Sequence, residues 1–211
     1  VTHDIRGPIV SMIGALDLIK NADDIGEIKQ IVSLMEESAD KVTDLIENIH
    51  AYYSLKRGNI NIEEIDFESL ISQVVSLHKV HAALQQVRID TSVKQEETFR
   101  SDKVIIQLVI NNLLSNAIKY QLRKERDKFV SISVVIEKGK AVIEVKDNGI
   151  GIEEEHFENI FKMFFRATKE STGAGFGLYN VKDALEKLQG SISVTSKIAE
   201  GAKFKVIIPT K

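Results

Sequence analysis

The sequence predicts an α+β protein, in which an N-terminal helical hairpin precedes an α/β sandwich with a mixed, mostly antiparallel sheet. Apolar residues recur every three or four positions through the first quarter of the chain, which is typical of helices. Later segments alternate apolar and polar residues, as strands with one buried face do. The change of pattern places a boundary near 57–59, so we expect two domains, 1–57 and 59–211.

The first domain carries two apolar helical stripes. The first stripe steps by 4, 3, 4 and 3 residues and consists of Ile5, Ile9, Met12, Leu16 and Ile19. The second runs from Ile28 to Tyr53, after an acidic break at 21–24 in which a capping residue is expected with Glu27 as its partner. Two helices cannot enclose both stripes, whereas two hairpins can do so as a four-helix bundle. We therefore predict a homodimer.

The second domain begins after Gly58, a residue typical of the end of a helix. Alternation from Asn59 to Ile62 predicts a first strand. Helices are expected to cover one face of an open sheet, and His78 and His81 are interpreted as surface residues of the first of them. The predicted helices are 66–84, 102–120 and 176–189, and the further strands are 87–93, 129–136, 141–146, 191–197 and 202–208.

The composition excludes several classes of protein. The 211 residues include 28 Lys and Arg against 31 Asp and Glu, so there is no basic footprint for nucleic acid, and we expect none to bind. With no cysteine and no apolar run of roughly 20 residues, a soluble cytoplasmic core is expected. The chain opens at Val1 without an initiator Met, so any membrane attachment is expected to come from an upstream segment.

The predicted helix at 102–120 carries a polar stripe on an otherwise apolar surface. Asn112, Asn116, Lys119 and Tyr120 lie at i, i+4, i+7 and i+8. One interpretation is a face turned to solvent. The other is a pocket for a phosphate and its cation, because amide oxygens suit Mg²⁺ and a lysine neutralises phosphate charge.

Two glycine-containing segments lie in the last third of the chain. At 147–151 an Asp directly after a strand precedes two alternating glycines. This pattern fits either an ordinary turn or a close approach of the backbone to a flat ligand, from whose amino group the Asp would accept a hydrogen bond. At 173–178 the glycines follow a G-x-G-x-G spacing, which fits neither the dinucleotide fingerprint nor the phosphate loop. This segment is either a flexible loop or a nucleotide lid.

In this order and spacing the segments resemble the catalytic core of the two-component sensor histidine kinases, over essentially the whole chain. Residues 3–8 are similar to the phosphoacceptor box of that family and 112–120 to its asparagine box. Residues 147–152 resemble its adenine-binding box and 173–178 its second glycine box. The stretch 161–166 resembles the phenylalanine-rich segment beside the lid.

The resemblance implies a protein-histidine kinase that uses ATP and Mg²⁺. His3 would be the nucleophile, with Asp4 orienting or deprotonating its ring, and a receiver-domain aspartate of a response regulator would then take the phosphoryl group. Arg166 is either the residue that meets the γ-phosphate or a solvated arginine, and Asp147 would accept from the adenine amino group. Asn116 and Asn112 would hold the metal. The implied nucleotide contacts are Asn112, Asn116, Lys119, Tyr120, Asp147, Gly149, Gly151, Ile152, Gly173, Gly175, Gly177 and Leu178.

One position departs from the family pattern. Members that also dephosphorylate their partner usually have Thr or Asn four residues after the histidine, and this chain has Gly7. No side chain is present there to hold an attacking water. We therefore expect weak phosphatase activity.

Two other functions stay open from the sequence. A conformational ATPase related to the chaperones would carry a glutamate as general base where this chain has Asn112, which argues against hydrolysis as the main task. A non-catalytic dimer that only relays phosphate would not need the nucleotide-binding segments that this chain retains.

Overall fold

A computed structural model describes residues 2–20, 22, 24–122, 127–167 and 175–211, without the side chains of 2–5 and of several positions between 37 and 57. A 3-10 turn, Glu154–His156, follows the fifth strand. The helices are α1 (Thr2–Ile19), α2 (Ile25–Arg57), α3 (Phe67–Leu84), α4 (Lys103–Lys119) and α5 (Gly177–Lys187). The strands are β1 (Glu63–Glu64), β2 (Val87–Gln95), β3 (Arg100–Ser101), β4 (Lys128–Glu137), β5 (Lys140–Asp147), β6 (Ser191–Lys197) and β7 (Gly201–Pro209).

The N-terminal hairpin consists of α1 packed on α2. Asp24 caps α2 as expected, because its Oδ2 accepts from the backbone N–H of Glu27 at 2.9 Å. Within the described residues, no helix combines the length and the apolarity needed to cross a membrane. Large apolar side chains on both helices remain exposed, and these are Ile9, Val10, Ile13, Leu16, Leu18, Ile25, Val32, Leu34 and Ile46.

The remaining elements form a five-stranded sheet covered on one face by α3, α4 and α5. The strand order is β2-β4-β5-β7-β6, in which β2 and β4 are parallel and the other pairs antiparallel. Alternate residues of β4, such as Val130 and Ile132, are fully buried beneath the helices. The α/β sandwich with a mixed, mostly antiparallel sheet is therefore confirmed.

Helix α4 lies at the centre of this core. Its apolar side chains Ile106, Leu114 and Ile118 are completely buried. The helix begins at Asp102, whose carboxylate accepts from the backbone N–H groups of Ile105 at 3.0 Å and Asn61 at 2.8 Å. With its apolar sides fixed against sheet and helices, α4 can turn its polar stripe in one direction only.

The strand predicted at Asn59–Ile62 is wrong. These residues are irregular, and the strand is the two-residue β1, which pairs with the equally short β3. The N–H of Asn61 bonds to the Asp102 side chain instead of to a neighbouring strand. Two-residue strands are too short to show alternation, which also explains why β3 had no signal in the sequence.

Lys187, at the end of α5, joins the core to the end of α2. Its ammonium donates to the backbone oxygen of Leu55 and, at 3.4 Å, to that of Gly58. The last carbonyls of a helix have no partner within the helix, so a lysine there both satisfies and neutralises them. The Leu55 side chain is itself buried in the hydrophobic core below the sheet.

We expect Lys187→Ala to loosen the last turn of α2. Loss of two charge-assisted hydrogen bonds should raise hydrogen exchange of the backbone amides at 55–60 by about tenfold, as mass spectrometry can measure. Lys182→Ala, an exposed lysine on the same helix, is the matched control and should leave that segment unchanged. Equal exchange in both variants would contradict the contact.

Candidate functional site

A cavity of about 550 Å³ lies on the polar side of α4, beside the loop after β5 and the start of α5. The polar stripe of α4 therefore lines a pocket. Gly149 lies just outside the lining, Gly173 falls outside the described residues, and His3 and Asp4 are on α1 with undescribed side chains. The lining contains the other expected residues, which are Asn112, Asn116, Lys119, Tyr120, Asp147, Gly151, Ile152, Arg166, Gly175, Gly177 and Leu178.

Asp147, the last residue of β5, is a buried carboxylate at one end of the cavity. Burial raises its pKa from the ordinary 3.8 to about 6, and backbone hydrogen bonds from Gly149 and Ala202 oppose that rise. Both N–H groups donate to Oδ1, at 2.8 and 3.3 Å respectively. This arrangement leaves Oδ2 to accept from an amino group of a ligand.

The loop after Asp147 is fastened to the end of α4. The N–H of Ile150 donates to the backbone oxygen of Tyr120 at 2.9 Å. A Cβ added at Gly149 would lie 2.2 Å from the same oxygen, so only glycine permits this approach. The carboxylate of Asp147 and the C-terminal end of α4 therefore share one end of the cavity.

The turn between β6 and β7 holds the same loop from its other side. The N–H of Ile152 donates to Ser196 Oγ at 2.8 Å, and this hydroxyl donates to the backbone oxygen of Gly201 at 2.7 Å. Gly151 has a φ of +74°, and a Cβ there would lie 2.1 Å from the Lys197 oxygen. The two glycines thus serve close backbone packing, and Gly151 also lines the cavity.

Asn112 presents an oxygen at the border of the cavity. Its Nδ2 donates to the backbone oxygen of Leu108 at 2.9 Å, which fixes the amide with Oδ1 available to a ligand. A Cβ on Gly177 would lie 2.9 Å from that Oδ1. Mg²⁺ prefers oxygen ligands, so Asn112 and its cavity neighbour Asn116, one turn further along α4, fit a site for it.

The phenylalanine segment is packed against the second glycine segment. The N–H of Phe164 donates to the Gly175 oxygen at 3.0 Å, and its ring meets that of Phe176 edge-on with centroids 4.7 Å apart. Phe161 and Phe165 pack against the hydrophobic core. This packing brings the exposed Arg166 to the mouth of the cavity.

Several residues of the site had no signal in the sequence. Ala202 donates to Asp147 and Ser196 holds the loop, but a small residue near a strand end looks ordinary. His81 is exposed as expected, whereas His78 is half-buried, with its Nε2 2.7 Å from Oδ1 of Asn111. Only the packing of α3 on α4 brings these two side chains together.

Two family models match the chain. Residues 101–211 match the family described as histidine kinase-, DNA gyrase B-, and HSP90-like ATPase, and residues 1–58 match the His Kinase A (phospho-acceptor) domain. The chain belongs to the histidine kinases. The order of its two parts is that of a two-component sensor kinase core, and the expectation from the sequence is confirmed.

Known histidine kinases align with nearly all of this one. The sensor-like histidine kinase SenX3 of Mycolicibacterium smegmatis is 31% identical over 216 residues, covering 99% of this chain and 56% of the relative. The autoinducer 2 sensor kinase/phosphatase LuxQ of Vibrio parahaemolyticus is 25% identical over 226 residues, covering 100% of this chain and 26% of the relative. The chain thus spans between a quarter and somewhat over half the length of these relatives.

Solved histidine kinases share the fold. ThkA in complex with the response regulator TrrA superposes with a TM-score of 0.76 at 22% identity, covering 100% of this chain and 60% of ThkA. The Acinetobacter baumannii histidine kinase AdeS gives 0.72 at 20% identity, covering 99% and 98%. At 22% and 20% identity, these superpositions establish a shared fold only.

Adenine-nucleotide affinity should fall in acid. An amino group that donates to Asp147 requires the ionised carboxylate, so affinity is complete above the pKa of about 6 and declines below it. We expect calorimetry to give binding about tenfold weaker at pH 5 than at pH 7. The effect of Asp147 on folding stability without a ligand has the opposite sign. Because the pKa of this carboxyl is raised in the folded state, its contribution to the free energy of unfolding is fully present below pH 3.8 and is lost as the pH rises through about 6.

Asp147→Asn provides the control for this measurement. The amide cannot ionise, so binding by that variant should be weak at both pH values and lack the acid decline. If the wild-type affinity is the same at pH 5 and pH 7, or if the variant keeps the decline, Asp147 is not the group responsible.

Proposed function

We propose that this chain is a sensor histidine kinase core that transfers the γ-phosphoryl group of ATP to His3 and then to an aspartate of a response regulator. The observation that carries the proposal is the meeting of Asn112, Asn116 and Lys119 with buried Asp147 in one cavity. These groups offer oxygen ligands for a cation, a positive charge for phosphate and an acceptor for an amino group. The phosphoacceptor domain match at 1–58 supplies the nucleophile.

We assign residues 1–57 to dimerisation and histidine phosphotransfer, and residues 59–211 to nucleotide binding. In support, α2 ends at Arg57, the phospho-acceptor match ends at residue 58, and the ATPase match lies wholly after that point, at 101–211. The exposed apolar side chains of α1 and α2 support a homodimer, because a second hairpin would bury them in a four-helix bundle. We further propose that this core works in the cytoplasm.

The residues implied for nucleotide binding each receive a role in holding the substrate. Asp147 accepts from the adenine amino group and Tyr120 flanks the base. Lys119 contacts phosphate, and Asn116 and Asn112 would hold Mg²⁺, which would supply positive charge to the phosphates. The turn residues Gly149, Gly151 and Ile152 shape the adenine end. The second glycine segment, with Gly173, Gly175, Gly177 and Leu178, closes over the phosphates.

The transfer itself needs a neutral imidazole in line with the γ-phosphorus. A ring nitrogen of His3 forms the N–P bond while the bond from the γ-phosphorus to the β,γ-bridging oxygen breaks, and ADP leaves with that electron pair. Asp4 orients the ring or takes the proton from its other nitrogen. Arg166 stabilises the charge on the transferring group from the mouth of the cavity.

In the second step the carboxylate oxygen of a receiver aspartate attacks the phosphorus, and the P–N bond returns its electrons to the ring. ThkA, which has this fold, was solved in complex with the response regulator TrrA. ShkA, which is also similar in fold, was solved in complex with AMPPNP. Both support the proposed partner and substrate.

Asn112 disfavours ATP hydrolysis as the main activity. A general base for water must take up a proton, and an amide that already donates to Leu108 O cannot do so. A relay dimer without catalysis is disfavoured by the cavity, because such a protein would not need converging amide, lysine and carboxylate groups.

Radiolabelled ATP tests the proposal directly. We expect wild type to acquire acid-labile, base-stable label, His3→Gln to acquire none, and Asn116→Ala to acquire at least about tenfold less because it loses a metal ligand. His81→Gln, which alters an exposed histidine of α3, should label like wild type. Steady phosphate release without protein labelling would instead establish an ATPase.

Gly7→Thr tests the expected weakness of phosphatase activity. An added Thr can hold the attacking water, so dephosphorylation of the phosphorylated receiver should rise, by about tenfold. Gly14→Thr is the matched control, since among described atoms none lies within 4 Å of a Cβ added at Gly7 or at Gly14. Strong metal-dependent dephosphorylation by wild type that Gly7→Thr leaves unchanged would show that the activity needs no side chain here.

A further inference from the structure

A hydrogen-bonded pair joins α3 to α4 at the border of the cavity. His78 Nε2 and Asn111 Oδ1 are 2.7 Å apart, and both side chains are partly buried. An amide oxygen can only accept, so the imidazole N–H is the donor. This bond fixes the orientation of the Asn111 amide, and Asn111 lines the cavity.

With its Oδ1 engaged by His78, the Asn111 amide has its Nδ2 amino group left to donate. Among the described residues, none accepts a hydrogen bond from Nδ2 of Asn111. The adjacent Asn112 has the opposite polarity, because its Nδ2 is bonded to Leu108 and its Oδ1 is the group available. One amide thus suits a cation and the other suits an anion.

The position of Asn111 along α4 indicates which part of a nucleotide it meets. Asp147 and Tyr120 mark the adenine end, and Asn111 lies nine residues before Tyr120, about 13 Å along the helix axis. It also lies about 7 Å beyond Asn116 on the side away from adenine. Along the axis of α4, Asn111 therefore lies on the phosphate side of a nucleotide held by Asp147 and the metal ligands.

We propose that the amino group of Asn111 donates to the terminal phosphate of ATP, and that His78 is a positioning residue that orients this amide. The inference rests on the proposed function, since it assumes an adenine nucleotide in the cavity. It predicts that the protein binds a triphosphate more tightly than a diphosphate, in part through Asn111, which lies outside the four-residue polar stripe.

Calorimetry with the non-hydrolysable analogue AMPPNP and with ADP, both with Mg²⁺, separates this role from a structural one. Asn111→Ala should bind AMPPNP about tenfold more weakly and ADP within about twofold of wild type. His78→Ala should show the same selectivity with a smaller loss, about threefold. His78→Gln can still donate to Asn111 Oδ1 and should recover most of the lost AMPPNP affinity. His81→Ala, which alters an exposed histidine, should bind both nucleotides like wild type.

Retained ADP binding shows that each variant is folded. Equal losses for both nucleotides, or no loss for either, would overturn the role of Asn111. Normal AMPPNP binding by His78→Ala, or failure of His78→Gln to recover binding, would overturn that of His78. A wild-type protein that binds neither nucleotide overturns the proposed function itself.

Discussion

The burial of α4 is the constraint on which the rest of the structure depends. Leu114 and Ile118 are fully enclosed by the sheet and the neighbouring helices, so the helix cannot rotate without exposing them. Once these sides are fixed, Asn112 and Asn116 must face the remaining direction, which is the cavity. The apolar packing thus directs the polar stripe to the cavity, and the hydrogen bond from Asn112 Nδ2 to Leu108 O then sets the orientation of that amide.

One end of the cavity is built around a buried carboxylate. Burial of Asp147 raises the free energy of its charged form, and the N–H groups of Gly149 and Ala202 reduce that cost only in part. The protein therefore holds a group whose remaining hydrogen-bonding capacity a ligand can satisfy. Glycine at 149 and 151 lets the backbone approach closely enough to keep that loop in place. Close backbone packing and burial at this edge together hold the carboxylate in place.

The sequence predicted those features that depend on residues close together in the chain. The helical stripes, the alternating strands and the polar stripe with Asn112 and Asn116 were readable because each depends on neighbours in one element. The strand at Asn59–Ile62 was predicted wrongly because a distant carboxylate, Asp102, competes for the backbone there. The pairing of His78 with Asn111 spans 33 positions and arises only when α3 packs on α4, so no spacing rule could indicate it.

Helix α5 connects the cavity to the hairpin that carries the phosphoacceptor. Its first residue, Gly177, lies against Asn112 in the cavity, and its last, Lys187, bonds to the end of α2. Eleven residues of helix span about 16 Å between these two contacts. The side chain of Leu55 is itself part of the hydrophobic core, so the end of α2 is held both by α5 and by apolar packing. The same short element therefore contacts both the cavity and the end of the hairpin.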